Sequence, residues 1–132
     1  MKKETKRSII RIKENKTKKF AGIHLIAEFW YGKEIKTKKE AERILKNSVK
    51  EARATALEIV IHKFNPQGLT GVILLAESHI AVHSWPELNY TAIDIFTCGD
   101  KSSADKALEY FKRELNPKKV KVIKIKRGMV KL

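Results

Sequence analysis

The residues best suited to chemistry lie in the stretch ESHIAVH and shortly after it. An acid, a hydroxyl and an imidazole follow one another at Glu77, Ser78 and His79, between two apolar runs that are typical of strands. The junction contains no Gly, Pro or Asn, the residues that usually mark a turn. A second imidazole follows at His83, and the one cysteine of the chain is Cys98. Side chains of these types can supply a nucleophile, a proton carrier or a metal ligand.

Two simple chemistries fit the residue types but not their spacing. His79 and His83 on a strand have Cα atoms about 13 Å apart, which is too far for one metal ion. We therefore expect no metal site. A serine hydrolase could combine Ser78, His83 and Asp94, but Ser78 lacks a Gly-x-Ser-x-Gly elbow and lies too far from His83 along one strand.

The surrounding pattern predicts the elements that must position these residues. Apolar residues recur at helical spacing over 37–55, with Thr37 as a cap, and over 103–115. We predict strands at 22–30, 56–64, 70–76, 79–85, 90–98 and 118–126, the last one half-exposed. Two helices over a mainly antiparallel sheet make an α+β fold with two layers.

A hairpin across residues 86–89 would bring the reactive groups together. If Trp85 lies near Tyr90, paired residue numbers sum to about 175. His83 then lies opposite Ala92, and Ser78 lies next to Cys98. The single cysteine is thereby predicted to neighbour the unusual junction.

The net charge and composition limit the classes of protein to which the chain can belong. The net charge of +14 belongs to the ends, because residues 1–19 and 118–132 each carry +7 and the body is neutral. We interpret residues 1–20 as a flexible basic extension and 21–132 as one domain. A non-catalytic RNA-binding domain is the alternative from another class, but no aromatic platform accompanies the lysines. The chain has no apolar run that could span a membrane, and a lone cysteine fits a reducing cytoplasm.

The stretch AESHIAVHSWPE, followed by AIDIFTCGD, resembles the pyruvoyl-dependent S-adenosylmethionine decarboxylases of the short prokaryotic type. The resemblance implies a proenzyme that cuts its own backbone between Glu77 and Ser78. In that reaction the Ser78 hydroxyl converts the preceding amide to an ester. Elimination and loss of ammonia then leave a pyruvoyl group at position 78, which forms a Schiff base with the substrate amine.

The resemblance also implies roles for other residues. Cys98 corresponds to the proton donor for decarboxylation, and His83 to the histidine that handles protons during processing. Glu87 corresponds to a carboxylate that binds ribose, and Phe64 to an aromatic that stacks on adenine. Thr70 stands where the family carries serine; it keeps the hydroxyl that supports processing.

The substrate implied is S-adenosylmethionine, whose decarboxylated form is the aminopropyl donor for spermidine. Some relatives of the family decarboxylate arginine instead, and this remains the alternative. Because Ser78 and His83 lie about 16 Å apart on one strand, we expect a homodimer that shares its active sites. One protomer would supply Ser78 and Cys98, and its partner Phe64, Thr70, His83 and Glu87, in a four-layer αββα arrangement.

Overall fold

The computed structural model describes residues 18–98 and 102–131. Both predicted helices and all six predicted strands are present, and two very short strands occur in addition. The elements in chain order are β1 (Lys18–Lys19), β2 (Gly22–Trp30), α1 (Lys38–Ala52), β3 (Ala56–Lys63), β4 (Leu69–Leu75), β5 (His79–Trp85), a 3₁₀ turn (Pro86–Leu88), β6 (Tyr90–Thr97), α2 (Ala104–Leu115), β7 (Lys119–Arg127) and β8 (Val130–Lys131).

The helices begin at side-chain caps and bury one apolar face each. Thr37 accepts a hydrogen bond from the Glu40 amide at 3.0 Å, and Ser103 accepts one from the Lys106 amide at 3.1 Å. Such caps satisfy amides that have no partner within the helix. The buried face of α1 consists of Ala41, Ile44, Leu45, Ser48, Val49 and Ala52. That of α2 consists of Ala104, Ala107, Leu108, Tyr110, Phe111 and Leu115.

Six strands form one antiparallel sheet in the order β3-β4-β5-β6-β2-β7. Side chains alternate between its faces, so one face packs against both helices and forms the core. The opposite face, called the open face below, has no helix over it in the described residues. The predicted α+β fold with two layers is therefore confirmed for the single chain.

The β5–β6 hairpin has the predicted register. Trp85 pairs with Tyr90 and His83 pairs with Ala92. The last pair at the other end of the hairpin is His79 with Phe96. Continuing this register places the residue before β5, Ser78, beside the end of β6.

The final strand departs from the prediction of a half-exposed strand. All nine residues of β7 are exposed. The alternation changes phase between Val122 and Ile123, so that neither face of the strand is uniformly apolar. The strand also lies at the edge of the sheet, while α2 packs over β2 and β6. Period-2 alternation could not reveal that no helix would cover this strand.

The basic ends lie partly within the described chain. The predicted extension falls mostly on residues 1–17, which lie outside the described residues. Lys18 and Lys19 pair with Lys131 and Val130, and Phe20 is buried. In the part of the chain that the structure describes, neither helix has the length and apolar character that a membrane span requires.

Candidate active site

Ser78 lies at the tight connection between β4 and β5. The Leu75 amide donates a hydrogen bond to the Ser78 carbonyl at 2.8 Å, so that only Ala76 and Glu77 project beyond it. The segment after α1 holds this tip. The Ala76 amide donates to the carbonyl of Thr55 at 2.9 Å, and the Thr55 amide donates to the Glu77 carboxylate at 3.1 Å. The bond between Glu77 and Ser78 thus lies in a fixed hairpin turn.

A row of polar side chains, called the polar chain below, extends from Ser78 across the four strands β5, β6, β2 and β7. Ser78 Oγ lies 3.4 Å from His79 Nδ1, and His79 Nε2 lies 3.3 Å from Asp94 Oδ2. The other carboxylate oxygen, Asp94 Oδ1, lies 2.7 Å from His24 Nε2. His24 Nδ1 in turn lies 2.9 Å from a guanidinium nitrogen of Arg127. The hydroxyl of Ser78 is therefore at one end of a continuous set of contacts.

The register of the sheet brings these groups together. His79 on β5 and His24 on β2 both pair with Phe96 of β6, and all three side chains lie on the open face. The Phe96 ring stacks on His24, with centroids 5.1 Å apart, and meets the edge of His79 at 5.9 Å. The side chain of His24 is only 13% exposed, against 34% for His79 and 36% for Asp94. Aromatic packing thus orients both imidazoles.

Sequence reasoning paired these groups differently. The hydrolase alternative matched Asp94 with His83, whereas the structure places Asp94 between His79 and His24. The roles of His24 and Arg127 in the cluster were not anticipated. The sequence feature that could have indicated the role of His24 is the alternation of side chains along β2, which places His24 on the open face.

Cys98 directly follows β6, at the end of the sheet that carries Ser78. It is a free, half-buried thiol. Gly22 lies close against this strand end, because a Cβ at position 22 would stand 2.4 Å from the carbonyl oxygen of Thr97 and 3.2 Å from the Cα of Cys98. A side chain at Gly22 would displace the backbone that positions the thiol.

Thr70 and His83 form a pair at the opposite end of the sheet. They are register partners on β4 and β5, and Thr70 Oγ1 lies 3.1 Å from His83 Nδ1. Both are half-buried on the open face. Threonine at position 70 retains the hydroxyl of the serine that it replaces. This hydroxyl is therefore within hydrogen-bonding distance of the His83 imidazole.

Phe64 and Glu87 lie at the same end as this pair. Phe64 follows β3, where its amide donates to the Gly68 carbonyl at 2.9 Å, and the residue is 48% exposed. Its edge meets the ring of His62 at 4.6 Å. Glu87 is exposed in the 3₁₀ turn that follows β5. An accessible ring and an accessible carboxylate are thus available to a ligand.

The candidate residues consequently form two groups. The Ser78 end holds Glu77, Ser78 and Cys98, and the His83 end holds Phe64, Thr70, His83 and Glu87. Ser78 and His83 are five positions apart along the chain, which corresponds to about 16 Å of extended strand. Within one chain the structure does not bring the two groups together.

Aromatic rings continue the open face at the His83 end. Trp30, Tyr90 and Trp85 form a row with centroids 5.6 Å and 5.5 Å apart. The hydroxyl of Tyr90 donates a hydrogen bond to the carboxylate of Glu28. Burial, reinforced by this carboxylate, raises the pKa of Tyr90 to about 12. Tyr90 therefore stays protonated and acts as a donor at neutral pH.

Among residues 18–98 and 102–131, no group of three or more His, Cys, Asp or Glu side chains is arranged to hold a metal ion. The polar chain places His24, His79 and Asp94 in contact through hydrogen bonds. Its two imidazoles share one carboxylate rather than converge on a common point.

Comparisons with known proteins agree with the resemblance noted in the sequence. A family model described as S-adenosylmethionine decarboxylase matches residues 23–128. The S-adenosylmethionine decarboxylase proenzyme of Methanococcus vannielii is 45% identical over 111 residues, which are 83% of this chain and 91% of that protein. The proenzyme of the same description from Thermoplasma volcanium is 47% identical over 110 residues, which are 81% and 84% of the two chains.

A solved structure shares the fold. The crystal structure of the adenosylmethionine decarboxylase from Aquifex aeolicus VF5 matches with a TM-score of 0.79 and 36% sequence identity, over 85% of this chain and 94% of that one. Both the family match and the relatives span most of the described residues. The chain belongs to the S-adenosylmethionine decarboxylase family.

Proposed function

We propose that this protein is a proenzyme that cleaves itself between Glu77 and Ser78 and then decarboxylates S-adenosylmethionine. The observation that carries the proposal is the position of Glu77–Ser78 at a fixed hairpin tip in a chain whose relatives are named proenzymes. The product would be the aminopropyl donor for spermidine synthesis. The free thiol of Cys98 is compatible with the reducing cytoplasm where we expect the enzyme to act.

The residues present fit a pyruvoyl group at position 78. Ser78 is half-buried in the connection that precedes β5, and Cys98, which directly follows β6, lies at the same end of the sheet. A pyruvoyl group supplies a carbonyl that binds the substrate amine and accepts the electrons released with carbon dioxide. Cys98 would hold a proton for delivery to the substrate α-carbon.

The separation of the two residue groups supports an active site shared by two protomers. The open face carries exposed apolar side chains on both edges, including Val60, Val72, Leu74 and Ile123. Burying this face against a second copy would remove apolar surface from water. With two-fold symmetry, the Ser78 end of one protomer would meet the His83 end of the other, twice. The assembly would have four layers, with the helices outside.

Phe64 and Glu87 favour S-adenosylmethionine over arginine. A flat exposed ring can stack on a purine and can also attract a sulfonium cation, at about 0.5–2 kcal/mol. A carboxylate can accept hydrogen bonds from two ribose hydroxyls. Arginine carries neither a purine nor a ribose, so these two positions would be unused.

Intact-mass measurement of the purified protein, followed by an assay of released carbon dioxide, tests the proposal. We expect two chains divided between Glu77 and Ser78, with a keto group at the new N-terminus, and release from labelled S-adenosylmethionine but not from arginine. Ser78→Ala is the control, because alanine has no nucleophile. An uncleaved wild-type chain without turnover would contradict the proposal and favour a binding domain, whereas turnover of arginine alone would contradict the substrate.

A further inference from the structure

We infer that His79 is the base that starts the self-cleavage, and that Asp94, His24 and Arg127 are positioning residues that fix its tautomer. The inference rests on the proposed function and adds the residue that takes the proton from Ser78 Oγ. Among the described side chains, the imidazole of His79 is the titratable group that contacts this hydroxyl, with Nδ1 at 3.4 Å.

The far end of the polar chain sets the direction of its hydrogen bonds. The guanidinium of Arg127 can only donate, so the nitrogen facing it, His24 Nδ1, must accept at 2.9 Å. A neutral His24 therefore carries its proton on Nε2. This proton points to Asp94 Oδ1, which is 2.7 Å away. Arg127 thus fixes which nitrogen of His24 is protonated.

The carboxylate transmits this constraint to His79. An ionised carboxylate accepts at both oxygens, and Asp94 Oδ2 lies 3.3 Å from His79 Nε2. His79 therefore carries its proton on Nε2 as well. Its Nδ1 lone pair remains free and faces the hydroxyl of Ser78. Orientation of a base by a carboxylate in this way resembles the arrangement that activates a serine nucleophile in hydrolases.

The step proposed for His79 needs no reactant other than the side chains and the backbone of the protein. The proton of Ser78 Oγ moves to His79 Nδ1 as the oxygen forms a bond to the carbonyl carbon of Glu77. The bond from that carbon to the Ser78 nitrogen then breaks, and the proton is returned from His79 to this nitrogen. An amide has become an ester with a free amine, and the imidazole is neutral again.

His83 is poorly placed for this first step. It lies about 16 Å from Ser78 along β5, and its Nδ1 already faces Thr70 Oγ1 at 3.1 Å. The division of labour that follows is that His79 forms the ester within its own protomer. His83 of the second protomer would then act in the elimination. Variants at the two histidines should consequently stop the reaction at different stages.

Trapping with hydroxylamine distinguishes these stages, because hydroxylamine cleaves an ester much faster than an amide. Freshly made His79→Ala protein should process about 10²–10⁴-fold more slowly than wild type, the usual contribution of a general base. Its uncut chain should resist hydroxylamine, because the ester has not formed. The uncut chain of His83→Ala should instead be split by hydroxylamine at Ser78. Added imidazole should partly restore processing to His79→Ala.

Asp94→Asn tests the tautomer argument with little change in size. Its single amide oxygen would accept from His24, so its amide nitrogen would donate to His79 Nε2 and leave the proton on Nδ1. We expect processing to be slower by about 10- to 100-fold, as is found for partners that orient a reacting group. Asp105→Asn is the matched control, because Asp105 is exposed on α2 and pairs with Lys124 at 3.3 Å. It should process like wild type.

Several results would overturn the inference while leaving the proposed function intact. One is normal processing in either His79→Ala or Asp94→Asn, provided that wild type splits and gains its keto group. Another is release of the fragment by hydroxylamine from His79→Ala, which would place the role of His79 after ester formation. Should His79→Ala fail to fold by circular dichroism, the Asp94→Asn result decides. An uncleaved wild-type chain would instead defeat the proposed function itself.

Discussion

Combining Ser78→Ala chains with His83→Ala chains tests whether each active site is shared. Neither variant alone has a complete site, whatever its oligomeric state. In a mixed dimer, the His83→Ala chain would supply an intact Ser78 end and the Ser78→Ala chain an intact His83 end. One of the two composite sites is then whole and the other lacks both residues.

The size of the recovery follows from pairing statistics and from the distance along β5. Ser78 and His83 lie about 16 Å apart in one chain, so recovery requires a second chain. If equal amounts of the variants pair at random in a two-fold dimer, about half of the His83→Ala chains have a Ser78→Ala partner and become cleavable. About a quarter of all sites in the unfractionated mixture are then complete. Isolated mixed dimers have one of their two sites complete, so their turnover should approach half of the wild-type value.

The assay is coexpression of the two variants with different tags, so that both are present before cleavage. Tandem purification then isolates mixed dimers, whose processing is followed by intact mass and whose turnover is followed by carbon dioxide release. Ser78→Ala combined with Cys98→Ala is the matched control. Because both residues belong to the Ser78 end of one protomer, mixed dimers should show no more cleavage and no more turnover than Cys98→Ala alone.

Two outcomes would refute the shared-site model. Mixed dimers that are isolated intact and show no cleavage would mean that the His83 end does not complete the Ser78 end of its partner. A wild-type protein that is monomeric by light scattering and fully active would mean that one chain is sufficient.

Further changes give distinct expectations. Cys98→Ala should still be cleaved but lose about 10²–10⁴-fold in turnover, because the proton donation proposed for its thiol follows cleavage. Intact mass and carbon dioxide release measure the two effects, and unchanged turnover would make the thiol a packing residue. Thr70→Val should slow cleavage, because it removes the hydroxyl that lies 3.1 Å from His83 Nδ1. Thr70→Ser keeps a hydroxyl and should cleave at the wild-type rate. Equal cleavage rates for the two variants would show that this contact does not contribute to cleavage. Removal of residues 1–19 should leave cleavage and turnover nearly unchanged, since the family match begins at residue 23, and inactivity of a folded truncation would contradict this. The pKa of Tyr90 is raised to about 12 in the folded protein, so this residue contributes stability below pH 10 that is lost as the pH rises through 12. Tyr90→Phe should therefore flatten the fall in stability at alkaline pH. An unaltered stability profile in denaturant titrations would argue against this contribution.

Local sequence determined the elements and much of their pairing. Thr37 and Ser103 mark the helix starts because a hydroxyl just before an apolar-periodic segment caps the first amides. Alternation of side chains and a short loop fixed the β5–β6 register, because a slip by one residue would turn every buried side chain to the wrong face. The position of Ser78 beside the end of β6 followed from that register alone.

The tertiary structure decided which side chains meet across strands that are distant in sequence. His24, Asp94 and Arg127 come together because β2 inserts between β6 and β7, an order that no local pattern encodes. The same order left β7 uncovered at the edge of the sheet, although its alternation predicted a half-exposed strand. Periodicity records which way a side chain points, whereas its partner depends on strand order. For this reason the sequence indicated the candidate residues, and only the fold placed His79 between Ser78 and Asp94.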